Sequence, residues 1–358
     1  MSQRSHPVDE AAQVHQGRGA VTNPPNRFEP LVYEPDPEAE RDDSAPSTLF
    51  FRDPTRQIIA SNDSPDILFD KSLNPYRGCE HGCVYCFARP THEYLGYSAG
   101  LDFETRIMVK EDAPELLRKE LSKKSWEPQL IAVSGVTDPY QPIERRIELT
   151  RRCLGVLAEF RNPTAVITKN HLVSRDADIL GELARFDATR VFLSITTVDP
   201  HLANIMEPRA STPAKRLEAV SILRSAGVPV GVMVAPVIPG INDHEIPRIL
   251  EAAAAAGAEW AGYVMLRLPH AVGPIFEAWL EQHFPDRKEK VMNRVREMRG
   301  GKMYDPRWKI RQKGEGVFAD QVGLLFDTAA KRAGLNRRQF ELSADHFRRP
   351  AEPQLGLF

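Results

Sequence analysis

Residues 74–90 read "NPYRGCEHGCVYCFARP" and hold three of the four cysteines of this 358-residue chain. The three thiols follow a C-x3-C-x2-C spacing and are Cys79, Cys83 and Cys86. Gly78 and Gly82 allow the backbone to turn tightly between them. A cluster of three among four cysteines does not suit a disulfide framework and is typical of a metal-binding or catalytic site. The spacing therefore predicts a loop whose thiolates converge on one metal centre.

Two kinds of metal centre suit three neighbouring thiolates. Zinc takes four ligands, and His81 or His92 would complete a Cys3His site. A [4Fe–4S] cluster normally takes four cysteines, so three would leave one iron open to a substrate or cofactor. The remaining thiol, Cys153, lies in a predicted helix whose apolar neighbours indicate a buried core position. The residues by themselves leave both centres open.

Predicted strands alternate with predicted helices from about residue 66 to residue 275. The strands are apolar, β-branched runs at 67–73, 129–135, 164–169, 189–197, 228–238 and 259–268. Such runs are typical of a parallel sheet that is covered on both faces. We expect an α/β fold with an incomplete (β/α)6 TIM-like barrel, because a full eightfold barrel usually needs about 250 residues. An open doubly wound sheet is the alternative, and in both folds the site lies at the carboxyl ends of the strands.

The chain is predicted to have three parts. Residues 1–65 are rich in Pro, Arg, Asp and Glu without periodicity, which predicts an extended, partly disordered N-terminal arm. Within this arm, residues 18–29 are either an ordered peptide that wraps the domain or a solvated tail. Residues 66–275 form the core barrel, and residues 276–358 form a helical, basic C-terminal extension.

The composition is that of an ordinary globular protein, with 42% apolar residues, 27% charged residues and a formal net charge of −2. This balance does not make the whole chain a polyanion binder. No apolar run approaches the roughly 18 residues of a membrane span, and the N-terminus lacks the apolar stretch of a secretory signal. We therefore expect a cytoplasmic protein without a membrane partner.

The cysteine spacing with an aromatic residue at Tyr85, C-x3-C-x-aromatic-C, resembles the signature of the radical S-adenosylmethionine (SAM) superfamily. Its position after the first strand of an incomplete α/β barrel is similar too. The resemblance implies an enzyme with a [4Fe–4S] cluster on Cys79, Cys83 and Cys86, whose open iron binds the amino and carboxylate groups of SAM, with Tyr85 close to the adenine. It further implies reductive cleavage of SAM to a 5′-deoxyadenosyl radical that abstracts hydrogen from a substrate. An electron donor such as flavodoxin or ferredoxin is implied as a partner.

Strand ends supply candidates for further contacts with SAM. Thr137 and Asp138 follow the second strand, where the superfamily contacts the SAM amino group, and their oxygens can accept from an ammonium. Ser194 and Thr196 end the fourth strand on one shared face and are candidates for the ribose hydroxyls. Arg209 precedes the next helix, and its guanidinium suits a bidentate contact with the SAM carboxylate. A turn, strand-end or surface role is the alternative at these positions.

Residues 55–335 resemble a group of bacterial radical-SAM proteins of unassigned substrate that is distantly related to spore photoproduct lyase. The marks of resemblance are TDPYQPIE, TKNHLVSRD, EPRASTPAKRLEA and APVIPGIND, besides the cysteine segment. Photoproduct lyase repairs a thymine dimer in DNA with a hydrogen-donating cysteine near the end of its second strand. Residues 134–137 of this chain, SGVT, hold no thiol, so the same repair reaction is not expected. A nucleic-acid substrate stays open, and the sequence does not identify the substrate.

A basic segment, residues 287–313, contains eleven Lys or Arg against three Asp or Glu. Tyr304 and Trp308 lie within it, and cationic charge with stacking aromatics suits single-stranded or damaged nucleic acid. A solvated helix face is the alternative. With a zinc centre, this segment defines a second class of function, a non-enzymatic nucleic-acid-binding protein.

Overall fold

The computed structural model describes residues 17–28, 46–67, 69–339 and 341–350. Its strands are β1 (Leu49–Arg52), β2 (Ile59–Ser61), β3 (Lys71–Leu73), β4 (Tyr76–Arg77), β5 (Arg106–Val109), β6 (Ile131–Val133), β7 (Thr164–Thr168), β8 (Thr189–Ser194), β9 (Val230–Val237) and β10 (Trp260–Met265).

The helices are α1 (Leu101–Thr105), α2 (Ala113–Ser122), α3 (Glu144–Ile147), α4 (Leu149–Phe160), α5 (Ala177–Ala184), α6 (Pro200–Met206), α7 (Pro213–Ser225), α8 (Ile246–Ala255), α9 (Val272–His283), α10 (Pro285–Glu297), α11 (Ile310–Lys313) and α12 (Val317–Ala333). Short 3-10 helices lie at Arg89–Leu95, His171–Asp176 and Asp243–Glu245. Within the described ranges, none of the helices combines the length and the apolar character that a membrane crossing requires.

Six parallel strands form the centre of the fold, in the order β3-β6-β7-β8-β9-β10. In five of them, one buried residue per strand lies in register in a single layer: Leu73, Val133, Val166, Val191 and Val230. Branched side chains in such layers fill the interior of α/β barrels. The strand order has no reversal, unlike that of a doubly wound sheet. The six predicted strands and the incomplete (β/α)6 fold are confirmed, and the barrel is not closed.

The helix-forming sequence of residues 144–160 is divided into two helices in the structure, α3 and α4. Between them, Glu148 has a φ of 48°, in the left-handed region. The Glu144 carboxylate accepts hydrogen bonds from the amides of Thr150 (3.0 Å) and Arg151 (3.3 Å) in the first turn of α4. These amides would otherwise lack a partner, since a helix leaves its first N–H groups unpaired. The break therefore depends on a contact that the helix-forming sequence does not show.

The predicted N-terminal arm contributes strands to two sheets. β1 pairs parallel with β5, which places Phe50 opposite Ile107, and β4 completes this three-stranded sheet. β2 pairs antiparallel with β3 and extends the main sheet. The parts of the arm at 1–16 and 29–45, for which partial disorder is predicted, lie outside the described residues. The described part belongs to the folded unit, and a division near residue 65 stays a prediction.

The C-terminal extension bridges the open side of the barrel. The Lys313 amine donates a hydrogen bond to the carbonyl oxygen of Tyr263 in β10, the last strand (3.0 Å). The Arg311 guanidinium pairs with Asp66, which precedes β3, the first strand (2.6 Å). Two residues of one short segment thus hold the two sides of the gap together.

Candidate active site

The cysteine loop, residues 78–87, lies across the carboxyl ends of the parallel strands. The carbonyl oxygen of Gly78 accepts a hydrogen bond from the Thr137 hydroxyl beyond β6 (2.7 Å). The amide of Val84 donates to the carbonyl oxygen of Met206 beyond β8 (3.1 Å). Active sites of parallel α/β barrels lie at this end of the strands.

Two glycines give the cysteine loop its path. Gly78 and Gly82 have φ angles of 77° and 66°, which side chains rarely allow. A Cβ at Gly78 would lie 2.9 Å from the carbonyl oxygen of Phe103, and one at Gly82 would lie 2.9 Å from the Glu104 carboxylate. Backbone conformation and close packing therefore both require glycine at these two positions.

The three thiols of the loop lie near one another in a largely buried place. Cys79 and Cys83 are 7% and 9% exposed, and Cys86 is half-buried. Burial raises the pKa of all three thiols, and Asp138, Cys83 and Cys86 each raise the pKa of Cys79 further. The Lys169 ammonium acts in the opposite direction on Cys83 and Cys86. A cation is therefore placed where it stabilises thiolates at the mouth of the barrel.

The Asp138 carboxylate is held at the ends of β6 and β7. It accepts hydrogen bonds from the Thr168 hydroxyl (2.7 Å) and the Lys169 amide (2.8 Å), and it lies 3.4 Å from Nδ1 of His81. Burial alone would raise the pKa of Asp138, but His81 and these donors lower it to about 2. Nε2 of His81 lies 3.1 Å from the Asn170 side-chain amide. Asp138 thus fastens the cysteine loop to two strand ends through His81.

A second buried carboxylate, Glu207, ties the aromatic residue of the cysteine motif to β8. It accepts hydrogen bonds from the hydroxyls of Tyr85 and Thr196, the latter at 2.8 Å, and it forms an ion pair with Arg216. Arg216 also donates to the carbonyl oxygen of Ser194 (3.0 Å). Burial alone would raise the pKa of Glu207, but Arg216 keeps it below its usual value. This network fixes the Tyr85 ring against the end of the fourth parallel strand.

The predicted SAM-contact residues lie along the same edge, although Arg209 is turned differently from the rest. The Thr137 hydroxyl donates a hydrogen bond to the cysteine loop, and the Thr196 hydroxyl donates one to Glu207. Ser194 is buried at the end of β8. The Arg209 guanidinium pairs with Glu80 (3.0 Å) and reaches the Thr48 hydroxyl (3.3 Å). It therefore faces the described N-terminal residues. The SAM roles of these residues stay predictions.

The structure favours a cluster over zinc. Both ring nitrogens of His81 face other polar groups, and His92 is buried against aromatic rings, where burial lowers its pKa to about 4. In the part of the chain that the structure describes, no group of three or more His, Cys, Asp or Glu is arranged to hold a single metal ion. The ligands of one zinc ion all lie about 2.3 Å or less from it. Both histidines already contact other groups in this structure, so neither supplies the fourth ligand that a Cys3His zinc site needs.

An N-terminal peptide, residues 17–28, lies over the cysteine loop and is anchored on buried Glu104. The amides of Gly19 and Ala20 donate to the two carboxylate oxygens of Glu104 (3.0 and 2.8 Å). Arg89 forms a buried ion pair with Glu104 (2.5 Å) and donates to a carbonyl of the cysteine loop (3.0 Å). The buried Arg89–Glu104 ion pair thus joins the N-terminal peptide to the cysteine loop. Of the two alternatives for residues 18–29, these contacts favour the ordered peptide over the solvated tail in the described part, residues 18–28.

Gly19→Ala tests this packing. A Cβ at Gly19 would lie 1.7 Å from the carbonyl oxygen of Gly82, a backbone atom that no rotamer change can move. We expect the variant to lose about 1–3 kcal/mol of unfolding free energy in urea and to become sensitive to protease at residues 17–28. Gly155→Ala is the matched control, because a Cβ there meets nothing within 4 Å and alanine favours a helix by up to about 1 kcal/mol. Equal stability of the two variants would refute the contact.

Several cations of the basic segment 287–313 are engaged by other groups of the chain. Partners within the chain are a backbone carbonyl for Arg299, Asp305 for Arg307 and Asp66 for Arg311. The exposed ring of Trp308 is covered by a guanidinium, that of Arg311, 4.1 Å from its centroid. These contacts favour a structural role for the segment. A nucleic-acid surface here stays a prediction with less support.

Residues 73–253 match the Radical SAM superfamily. The match covers about half of the chain and includes the cysteine loop with the strand ends that surround it. This chain belongs to the radical SAM superfamily. It is an enzyme whose cofactors are a [4Fe–4S] cluster and SAM. The non-enzymatic zinc-stabilised protein, the second class that the sequence left open, is therefore wrong.

Similarity to individual proteins extends over half of this chain or more. An uncharacterised protein of Mycobacterium tuberculosis is 34% identical over 291 residues, which cover 80% of this chain and 78% of that protein. A radical SAM Nα-GlyT isomerase of Pseudomonas phage M6 is 27% identical over 215 residues, 56% of this chain and 42% of the isomerase. Spore photoproduct lyase complexed with dinucleoside spore photoproduct has a TM-score of 0.56 at 18% identity over 80% of both chains. That likeness establishes a shared fold.

Proposed function

We propose that this enzyme cleaves SAM reductively and uses the resulting radical to take hydrogen from a substrate. The observation that carries the proposal is a set of neighbouring thiols across the mouth of an open parallel barrel: Cys79, Cys83 and Cys86. Three thiolates leave one iron of a cluster without a protein ligand. When bound there, a [4Fe–4S] cluster supplies the electron that splits the S–C5′ bond of SAM and yields a 5′-deoxyadenosyl radical.

The chain's own residues hold the site and keep water out. The Lys169 ammonium lies 5.7 Å from the centroid of the Tyr85 ring and is close enough to Cys83 and Cys86 to stabilise their thiolates. We assign the Tyr85 ring, fixed by Glu207, to one wall of the adenine pocket. Burial of the loop beneath its N-terminal peptide shields the centre from solvent, as radical chemistry requires.

Five further residues are proposed as SAM contacts or supports. Thr137, Ser194 and Thr196 border the site at the ends of β6 and β8, where oxygen atoms can meet the amino group and the ribose. Asp138 already accepts hydrogen bonds from two strand-end groups, so we assign it to positioning. Arg209 would reach the SAM carboxylate by exchanging its present partner, the Glu80 carboxylate, for that of SAM.

The remaining partners follow from the proposed chemistry. Reductive cleavage consumes one electron, so we propose an external donor such as flavodoxin or ferredoxin. The cysteines are free thiols, which suits a reducing, cytoplasmic compartment. A nucleic-acid substrate is the second candidate, supported by the fold shared with spore photoproduct lyase. The absence of a thiol from residues 134–137 opposes the same repair reaction.

The test is release of 5′-deoxyadenosine. The anaerobic, cluster-loaded protein is reduced with dithionite in the presence of SAM, and the products are separated by chromatography. We expect 5′-deoxyadenosine and methionine in equal amounts, because one bond of SAM is broken to give both. A protein with a full cluster that forms neither product would refute the proposed cleavage.

A further inference from the structure

A cavity of about 560 Å³ lies beside the cysteine loop, on the side of the described N-terminal residues. Its walls come from distant parts of the chain and include Arg18, Thr48, Phe50, Arg146 and Arg209. Glu80, which follows the first cysteine, also lines it. A neighbouring cavity of about 460 Å³ shares Phe50 and Arg146, so the two form one groove.

The groove carries more positive charge than its own carboxylates balance. The Arg18 guanidinium donates to the carbonyl oxygens of Glu104 (3.1 Å) and Pro46 (2.6 Å) and to the Thr48 hydroxyl (3.0 Å). It forms no ion pair with a carboxylate of the described residues. Burial and the nearby Arg209 guanidinium both lower the pKa of Arg18. Two guanidinium groups held close together are stabilised by an anion between them.

Arg146 adds a third guanidinium. It lies 6.0 Å from the centroid of the half-exposed Phe50 ring and makes no ion pair within the described ranges. Glu80, paired with Arg209 at 3.0 Å, is the carboxylate of the first cavity's wall. Three arginines against one glutamate leave a net charge of about +2 facing the cavity.

The donors suit a phosphate group in particular. Guanidinium forks bind phosphate oxygens through paired hydrogen bonds. The Thr48 hydroxyl oxygen accepts from Arg18 (3.0 Å) and Arg209 (3.3 Å), so its own hydrogen is left to donate to a ligand. The Phe50 ring offers a stacking surface beside these donors, as in sites that hold a base next to its phosphate.

We propose that this groove binds a phosphate group, carried by a small phosphate ester or by the backbone of a single-stranded nucleic acid. The proposal goes beyond the radical chemistry and does not depend on it, since binding is measured without SAM cleavage. The groove is an anion-binding surface outside the segment 287–313, and two of its arginines, Arg18 and Arg146, form no ion pair with a carboxylate of the described residues.

Arg146→Gln with Arg145→Gln as its control tests the proposal. Both arginines are exposed on α3, but only Arg146 lines the groove. The probes are inorganic phosphate, thymidine 5′-monophosphate, a labelled ten-residue oligothymidylate and the same oligomer with an uncharged methylphosphonate backbone. Each is titrated into the full-length protein at two salt concentrations.

We expect the charged probes to bind the wild-type protein. Arg146→Gln should lower the affinity for these probes about tenfold, and Arg145→Gln should change it less than about twofold. Tighter binding of the oligomer than of the monophosphate identifies the nucleic-acid backbone as the ligand. In that case the slope of log affinity against log salt concentration should be about one unit smaller in magnitude for Arg146→Gln than for the wild-type protein. Equal affinities of these two probes identify a small phosphate ester. Equal effects of the two variants, binding of the uncharged oligomer with the same affinity, or no binding of any charged probe would each overturn the proposal.

Discussion

Cys83→Ser is expected to remove the brown iron–sulfur chromophore from anaerobically purified protein and to abolish SAM cleavage. Cys83 supplies one of three thiolates, and a serine hydroxyl is a much poorer iron ligand at neutral pH because it stays protonated. Outer-shell partners of metal sites typically contribute 10- to 100-fold in metal affinity or activity. Loss of a direct ligand should exceed about 100-fold, measured as bound iron, visible absorption and 5′-deoxyadenosine released.

Cys153→Ala is the matched control for this experiment. Cys153 is fully buried in the core on α4, as the sequence predicts. Its thiol lies outside the cysteine loop, so the variant should keep the iron content and the visible spectrum of the wild-type protein. Loss of iron from Cys153→Ala, or full retention by Cys83→Ser, would mean that the cysteine loop does not hold the cluster.

Glu207→Gln is expected to cost about 3–5 kcal/mol of unfolding free energy, the largest stability effect we predict. The substitution keeps the size of the side chain but leaves Arg216, which is 1% exposed, without a counter-charge. It also weakens the acceptor of the Tyr85 and Thr196 hydroxyls. Urea unfolding followed by circular dichroism measures the loss.

Glu159→Gln provides the comparison on the surface. Glu159 pairs with Arg118 (2.6 Å), and both side chains are more than a third exposed. Exposed pairs of this kind contribute about 0–1 kcal/mol because solvent screens them. If the two glutamine variants unfold at the same urea concentration, the Glu207 network does not hold the cysteine loop to β8.

The six parallel strands are predictable because each is an apolar, β-branched run bounded by helix-forming sequence. β1 and β4 are not predicted, since they have only four and two residues and show no alternation of apolar and polar residues from which a strand could be predicted. Their pairing with β5 creates them, and pairing between distant segments leaves no local signal. The same holds for the break between α3 and α4, which depends on the Glu144 carboxylate.

Some residues of the candidate active site are predictable from the sequence and others are not. The spacing alone identifies the three cysteines as metal ligands, because ligands of one centre that lie in the same loop form a recognisable local sequence pattern. Glu207 and Arg216 lie within a segment that the sequence singles out, yet no role is predicted for them. Charged residues in a helical segment usually indicate a surface, and only the tertiary packing buries this pair.

Arginine partners show a further limit of sequence patterns. The charge excess of residues 287–313 suggests a polyanion surface, but Arg311 is committed to Asp66, more than 240 positions away along the chain. Arg18 and Arg146 belong to no charge run and still face one groove. The fold rather than the local density of charge decides which guanidinium groups are free to bind a ligand.

The central claim is that three thiolates at the barrel mouth hold a [4Fe–4S] cluster with one iron open to SAM. The most direct measurement is the electron paramagnetic resonance spectrum of the dithionite-reduced protein before and after SAM is added, with 5′-deoxyadenosine quantified in the same samples. We predict a reduced-cluster signal that changes when SAM binds, 5′-deoxyadenosine from the wild-type protein and Cys153→Ala, and neither from Cys83→Ser. A signal that SAM leaves unchanged, with no 5′-deoxyadenosine formed, would contradict the claim.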